Sequence, residues 1–193
     1  MSLRMALLGV LDIRPSSGYE LSRFLHASAG WVWSAPQSQI YPLLRRMEAD
    51  GVIKAELQVR GERLERRVYE LTEEGQVELR QWARTFHPSP TVHDPIALQM
   101  LFLDTVSTAD GIRVLTEYAA EQDDRAAHYE HRRDRLLAHD TPLLRERLLT
   151  APREQHDRIA QSKAHVFDGQ ARLARERAAW AREAIGLARS NPG

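Results

Sequence analysis

The chain has 193 residues with 27 basic and 27 acidic side chains, and a net charge of zero argues mildly against a nucleic-acid protein that relies on bulk attraction to a polyanion. It has no cysteine, which excludes a disulfide framework and a thiolate metal site. No apolar run approaches the roughly 18 residues of a membrane-spanning helix and the start lacks a basic-then-apolar signal layout, so a cytoplasmic chain of one large or two small domains is expected.

Leu3, Ala6, Leu7, Val10 and Leu11 predict a short apolar helix, which Pro15-Ser16-Ser17-Gly18 breaks. Ser17 and Glu20 have the spacing of a capping box, each side chain satisfying the other's free backbone N–H. Leu21, Phe24 and Leu25 then line the inner face of a second helix. The stretch from Pro36 to Leu57 reads as a third helix that ends at a glycine and runs straight into a strand. Ile40, Leu43, Leu44 and Met47 share one face of that helix, leaving Gln37, Gln39, Tyr41, Arg45 and Arg46 pointing away. Pro42 limits the regular helix upstream, so a start near Ser38 is expected, with Ser34-x-x-Gln37 as a competing earlier one. Gly51 stops the helix, because the left-handed conformation brings it no Cβ clash.

A hairpin is expected next. Ile53, Ala55, Leu57 and Val59 alternate with Lys54, Glu56, Gln58 and Arg60 as in a half-buried strand. Arg60-Gly61-Glu62 predicts the turn, and Arg67, Tyr69 and Leu71 alternate in the return strand. The tip carries Arg60, Arg63, Arg66 and Arg67, diluted by Glu62 and Glu65. Thr72 caps a fourth helix, with Glu73 and Glu74 at its positive end and Val77, Leu79, Trp82 and Phe86 along it.

Gln and Arg side chains can each make paired hydrogen bonds to base edges in a major groove, so the outward face of the third helix suits DNA reading. A basic hairpin behind such a helix is the layout of a winged helix, its tip reaching phosphates or the minor groove. The plainer reading is a solvated surface helix and a hairpin whose charges only keep it soluble. Basic residues gather at Arg45, Arg46, Lys54, Arg60, Arg63, Arg66 and Arg67, while acids gather elsewhere, as at Glu121-Gln122-Asp123-Asp124. The zero net charge still implies modest non-specific affinity.

Several stretches together resemble the DNA-binding domain of the PadR family of bacterial transcriptional regulators. They are Leu7-Leu8-Gly9, Ser17-Gly18-Tyr19-Glu20-Leu21, Gln39-Ile40-Tyr41-Pro42-Leu43, Glu48-Ala49-Asp50-Gly51, and Arg67-Val68-Tyr69-Glu70-Leu71-Thr72-Glu73-Glu74-Gly75. Trp31 and Trp33 resemble the longer subfamily, which carries a large helical C-terminal domain. The resemblance implies a mainly α fold with a small β-hairpin: an N-terminal winged helix-turn-helix over 1–86 plus a C-terminal long-helix dimerisation domain. It implies a repressor more often than an activator, and in some members release from DNA by a phenolic acid or a flat aromatic drug.

Three prolines in His87-Pro88-Ser89-Pro90-Thr91-Val92-His93-Asp94-Pro95 predict a linker over 87–95, ahead of a helical domain over 96–193. Ile96 to Leu103 predicts a short apolar helix, and Ser107 or Thr108 caps a long one. Its residues Ile112, Leu115, Ala119, Gln122, Ala126, Tyr129, Arg133 and Leu136 form a coiled-coil-like seam with Gln122 and Arg133 as register pins. Thr141-Pro142 begins a further short helix. A final helix is expected from about Pro152 to Leu187, with Ala160, Ala164, Phe167, Ala171, Ala174, Ala178, Ala181 and Ile185 in one seam. Val166, Leu173, Trp180 and Leu187 recur beside it every seven residues. So much apolar surface on one helix points to packing against a second subunit, with a monomeric three-helix bundle as the alternative. A two-fold dimer would set two recognition helices on an inverted-repeat double-stranded DNA site, roughly 34–36 Å apart.

The residues expected to touch DNA are Ser38, Gln39 and Tyr41 near the start of the recognition helix, with Arg45 one turn on. Tyr19 at the start of the second helix and Arg60 and Arg63 on the wing join them. Trp82, Phe86, Trp180 and Tyr129 are candidates for a pocket taking a small aromatic effector, although such residues at helical spacing are more often core. His128 and His131 have metal-ligand spacing near Asp124 and Asp134, but such pairs are common on charged helix faces. No nucleophile–base cluster and no phosphate loop appears, so neither enzymatic activity nor a cofactor is expected. A different class of function, a dimeric helical adaptor whose winged domain binds protein, is separable by salt: DNA binding weakens steeply as salt rises.

Overall fold

A computed structural model describes residues 3–28, 37–60, 64–88 and 94–190. Trp31, Trp33, Ser34, Gly61, Glu62 and Arg63 lie outside the described residues. The chain divides into two compact units, Met1–Ser89 and Pro90–Gly193.

The N-terminal unit runs α1 (Leu3–Leu11), β1 (Ser16–Ser17), α2 (Gly18–Ser28), α3 (Gln37–Ala49), β2 (Ile53–Arg60), β3 (Leu64–Leu71) and α4 (Glu73–Arg84). The three strands form an antiparallel sheet in the order β1-β3-β2. Ile53 faces Leu71 at the base of the hairpin and Arg60 faces Leu64 at its end. Ser16 and Ser17, expected in a helix break with Ser17 as a cap but not in a strand, pair with Tyr69 and Val68 because the outer edge of β3 needs partners for its backbone polar groups. The expected capping box forms: the Ser17 N–H donates to the Glu20 carboxylate at 2.9 Å and the Glu20 N–H donates to Ser17 Oγ at 3.3 Å.

Leu7, Leu8, Leu21, Leu25, Ile40, Leu44, Met47 and Ile53 are fully buried at the centre of this unit. Burying each large apolar side chain contributes about 1.5–3 kcal/mol. Two glycines make the turn beneath them possible. Gly51 has φ +77°, and a Cβ on Gly75 would lie 2.1 Å from the Val52 carbonyl oxygen. Thr72 closes the same corner: its hydroxyl donates to the Gly51 carbonyl at 2.7 Å and accepts the Gly75 N–H at 3.2 Å. The Arg4 guanidinium ties α1 to α4 through paired bonds to Glu78 at 2.7 and 2.8 Å, and also bonds Asp50 beyond α3. Glu78 does most to hold Arg4 above its ordinary pKa, against the opposing effect of burial, and Asp50 adds to it.

Several expectations need correction. The helix α3 starts at Gln37, one residue before the expected Ser38, and carries Pro42 inside it. The proline's missing N–H removes one helical bond, to the Ser38 carbonyl, near the helix start. The strand β2 is half-buried only near its base: Ile53 is buried, whereas Leu57 is 67 % exposed, because the hairpin extends beyond the body of the domain. The helix α4 ends at Arg84, leaving Phe86 outside it and 87 % exposed, and Val77 on the helix is exposed as well.

The C-terminal unit runs α5 (Pro95–Met100), a 3₁₀ turn (Leu103–Thr105), α6 (Thr108–Leu137), α7 (Pro142–Leu149), a second 3₁₀ turn (Arg153–Gln155) and α8 (His156–Ser190). The expected helix over Ile96–Leu103 is shorter and starts one residue earlier. Pro95 opens it where a missing N–H is harmless, capped by Asp94, which accepts the Ala97 N–H at 3.4 Å. Ser107 caps α6. The helices α6 and α8 run antiparallel: Leu115 and Ala119 meet Ala181 and Ile185 at one end, and Leu136 meets Ala160 and Ala164 at the other, where Leu144 and Leu148 of α7 join them. The alanine seam of α8 is buried against this chain's own α6, with Phe167 only partly so. The stripe beside it is exposed among the described residues, with Val166, Leu173 and Leu187 at 51, 60 and 69 % exposure and Trp180 at 38 %. Gln122 is buried in mid-seam, and Arg133–Asp168, Arg175–Glu130 and Arg182–Asp123 bridge the two helices along its flank.

Candidate nucleic-acid interface

The face of α3 is set by what lies under it. Ile40, Leu44 and Met47 have no exposed surface, while Leu43, expected beside them, is only half-buried. This seating turns Ser38, Gln39, Tyr41, Arg45 and Arg46 to solvent along one side. Neither Arg45 nor Arg46 has an ion-pair partner among the described residues. Tyr41 is not free-standing. Its ring lies against Gly18, where a Cβ would come within 2.6 Å of Cε1, so the bare glycine at the start of α2 is the seat on which α3 rests. The remainder of Tyr41 is exposed, at 41 %, and Tyr19, the next residue of α2, is 61 % exposed. The sequence marked Tyr19 and Tyr41 separately; the fold brings their two helices together through Gly18.

The hairpin differs from the basic cluster read in the sequence. Lys54 bonds Glu70 at 2.8 Å with Glu56 at 3.9 Å, Arg66 pairs with Glu20, and Arg67 pairs with Glu48 while lying 5.8 Å from the centre of the Tyr69 ring. The hydrogen bond that Lys54 donates to Glu70 raises Lys54 above its ordinary pKa, and the bond that Arg67 donates to Glu48 does the same for Arg67. Burial lifts the Tyr69 hydroxyl, with Arg67 acting against it. Burial also pushes the Glu20 carboxyl up, but the Ser17 N–H, the Arg66 guanidinium and the Ser17 hydroxyl together outweigh it and hold the group down at about 2. Three of the expected basic residues are therefore neutralised in place. Arg60 ends β2, its side chain outside the described part, as is all of Arg63. Gly18 and Glu48 entered the sequence reading only as parts of family-like motifs and not as site residues. Their local pattern does not show these roles, since each acts across elements that the fold alone brings together.

The four aromatic residues suggested for an effector pocket are not gathered within either unit. Trp82 stacks on His87 at 5.1 Å and Phe86 is exposed in the N-terminal unit; in the C-terminal unit Tyr129 meets His128 edge-on at 6.0 Å and Trp180 is partly exposed. The C-terminal unit instead has an open apolar cavity of about 630 Å³, lined by Leu98, Phe102, Leu103 and Val106 with Asp110 and Arg113 at its polar side. No helix among the described residues is long and apolar enough to cross a membrane.

A helix pair with a buried inner face and an outer face presenting Gln, Tyr and Arg, followed by a hairpin, defines a winged helix-turn-helix DNA-binding domain, here joined to a long-helix unit. Residues 7–81 match the transcriptional regulator PadR-like family. The negative transcriptional regulator PadR of Bacillus subtilis is 29 % identical over 142 residues, covering 73 % of this chain and 78 % of that protein. The crystal structure of Bacillus subtilis PadR in complex with operator DNA superposes with a TM-score of 0.78 at 24 % identity, covering 96 % of this chain and 98 % of that one. The same protein in complex with p-coumaric acid gives 0.72 at 22 % identity, with the same coverage. Over residues 7–81, and through its likeness to the Bacillus subtilis regulator, the chain is similar to the PadR-like family of transcriptional regulators.

Proposed function

We propose that the chain acts as a homodimeric repressor on an inverted-repeat operator and is released by a small aromatic ligand. The observation that carries the reading is the exposed Ser38, Gln39, Tyr41 and Arg45 face on a helix whose inner residues Ile40, Leu44 and Met47 are fully buried. Gln39 reads base edges and Arg45 bonds phosphate, with Ser38, Tyr19 and the Tyr41 hydroxyl in reach of the backbone. Arg60 and Arg63 supply wing contacts. The exposed stripe Val166, Leu173, Trp180 and Leu187 on α8 supports a partner subunit. The repressor role and the aromatic ligand are supported by the Bacillus subtilis relative, described as a negative regulator and crystallised with p-coumaric acid.

The test is selection of bound duplexes from a randomised library, with Tyr41→Phe beside the native chain, because phenylalanine keeps the ring on Gly18 and removes only the hydroxyl. An inverted repeat with half-sites about one helical turn apart, weakened in the variant, is expected. p-Coumaric acid should then displace the protein from the selected duplex, and a reporter behind that duplex should be silenced. Enrichment of no sequence even at low salt would point to a protein-binding winged domain instead.

A further inference from the structure

We infer that Glu48 is a specificity-determining residue of the DNA-binding face, masking Arg67 where the recognition helix meets the wing and so withholding one cation from non-specific phosphate contact. The inference rests on the DNA-binding reading above. Glu48 stands in the last turn of α3 and Arg67 in the middle strand β3, opposite Leu57 of β2. The Arg67 side chain is half exposed, at 50 %, so it is available to a polyanion, yet its guanidinium is bonded to Glu48 and lies over Tyr69. Arg45, one turn before Glu48 on the same helix, is exposed with no ion-pair partner among the described residues. A bare cation and a masked one thus stand close together on one surface.

The physical consequence is quantitative. Each cation that neutralises a phosphate releases condensed counterions and steepens the dependence of log affinity on log salt by about 0.9. A guanidinium already bonded to a carboxylate adds nothing net, because a phosphate that takes it leaves the carboxylate unpaired beside DNA. Lys54–Glu70 and Arg66–Glu20 follow the same pattern, but Lys54 and Glu70 both lie on the hairpin and Glu20 also caps α2. The Glu48–Arg67 pair is the one of the three that joins the recognition helix to the wing and whose carboxylate has no capping duty. As a structural tie, an exposed pair contributes only about 0–1 kcal/mol. The two roles predict opposite signs: loss of a tie weakens DNA binding, whereas loss of a mask strengthens binding to any sequence and lowers discrimination.

The experiment measures binding of the full chain to a duplex of unrelated sequence over a salt series, for the native protein, Glu48→Gln, Arg67→Gln, the double variant and Arg45→Gln. Glu48→Gln should steepen the salt slope by about 0.9 and raise non-specific affinity about five- to tenfold near 0.1 M salt. The double variant should keep the native slope, Arg67→Gln alone should weaken binding because it bares the Glu48 carboxylate beside DNA, and Arg45→Gln should flatten the slope by about 0.9. An unchanged slope or weaker binding in Glu48→Gln, or a flatter slope in the double variant, overturns the mask. Absence of salt-dependent binding in the native chain, with Arg45→Gln indistinguishable from it, overturns the DNA-binding reading and the mask with it.

Discussion

In the N-terminal unit, long side chains from three helices meet at one centre, and the backbone closes on itself at Gly51, Val52 and Gly75. In the C-terminal unit, two helices of 30 and 35 residues lie together along a seam in which α8 contributes mostly alanine, with ion pairs beside it. Alanine brings little apolar area but lets helix backbones approach closely, so adhesion is spread over the whole length. The first unit places its stability at a few points, as holding a recognition helix at one angle requires. The second has few such points, so additions to its seam matter more than deletions from its surface.

Four changes sharpen or break this contrast. Gly75→Ala is expected to have the largest effect, a loss of about 3 kcal/mol or more, because the new Cβ meets a backbone carbonyl 2.1 Å away that no side-chain rotation relieves. Hydrogen exchange resolved by segment should show lost protection in 37–84 and native protection in α6 and α8; an unchanged N-terminal unit would contradict the tight corner. Ala178→Leu, at a residue with no exposed surface, should cost the C-terminal unit about 1–3 kcal/mol by forcing α6 and α8 apart, although leucine is itself a good helix former. A denaturation midpoint equal to native would show that the seam is looser than it looks.

Acid should act on the N-terminal unit through Glu20. Its folded carboxyl sits at about 2 against an ordinary 4.5, so the stability it contributes is fully present above pH 4.5 and is lost as pH falls from there towards 2. After solvent screening the loss should be about 1–2 kcal/mol. Glu20→Gln keeps a capping side chain and removes the titration, so its urea midpoint should fall less between pH 5 and pH 2.5 than that of the native chain. Parallel pH profiles would rule the contribution out. The smallest effect is expected for Arg175→Ala, which removes an exposed inter-helix pair with Glu130 and should shift stability by less than about 1 kcal/mol. A larger loss in the same denaturation assay would mean that the flanking ion pairs, and not the alanine seam, hold the C-terminal unit.

Much of the molecule was legible locally. The inner face of α3, the Ser17–Glu20 box, the stop at Gly51 and the alanine seam of α8 depend on residues within a turn or two of one another, where periodicity and capping rules operate. Phe86 and Leu57 were misjudged for one reason: each continues an apolar pattern past the point where the domain has anything to pack against it. The candidate DNA face was legible as exposed residue types, but the state of its charges was not. Composition counts Arg45 and Arg67 alike, and only the approach of Glu48 to Arg67 separates them.

From its own pattern, then, the chain determined its helices, its hairpin, the inner side of α3 and the likeness of its N-terminal unit to the PadR-like family, because helix periods, strand alternation, caps and turn glycines are written within a few residues. The tertiary structure alone decided that Ser16 and Ser17 become a strand, that Tyr41 rests on Gly18, that Gly75 cannot carry a side chain, and that three hairpin cations are already paired. Each of those depends on groups far apart in sequence meeting within a few ångströms, and no local pattern carries that distance.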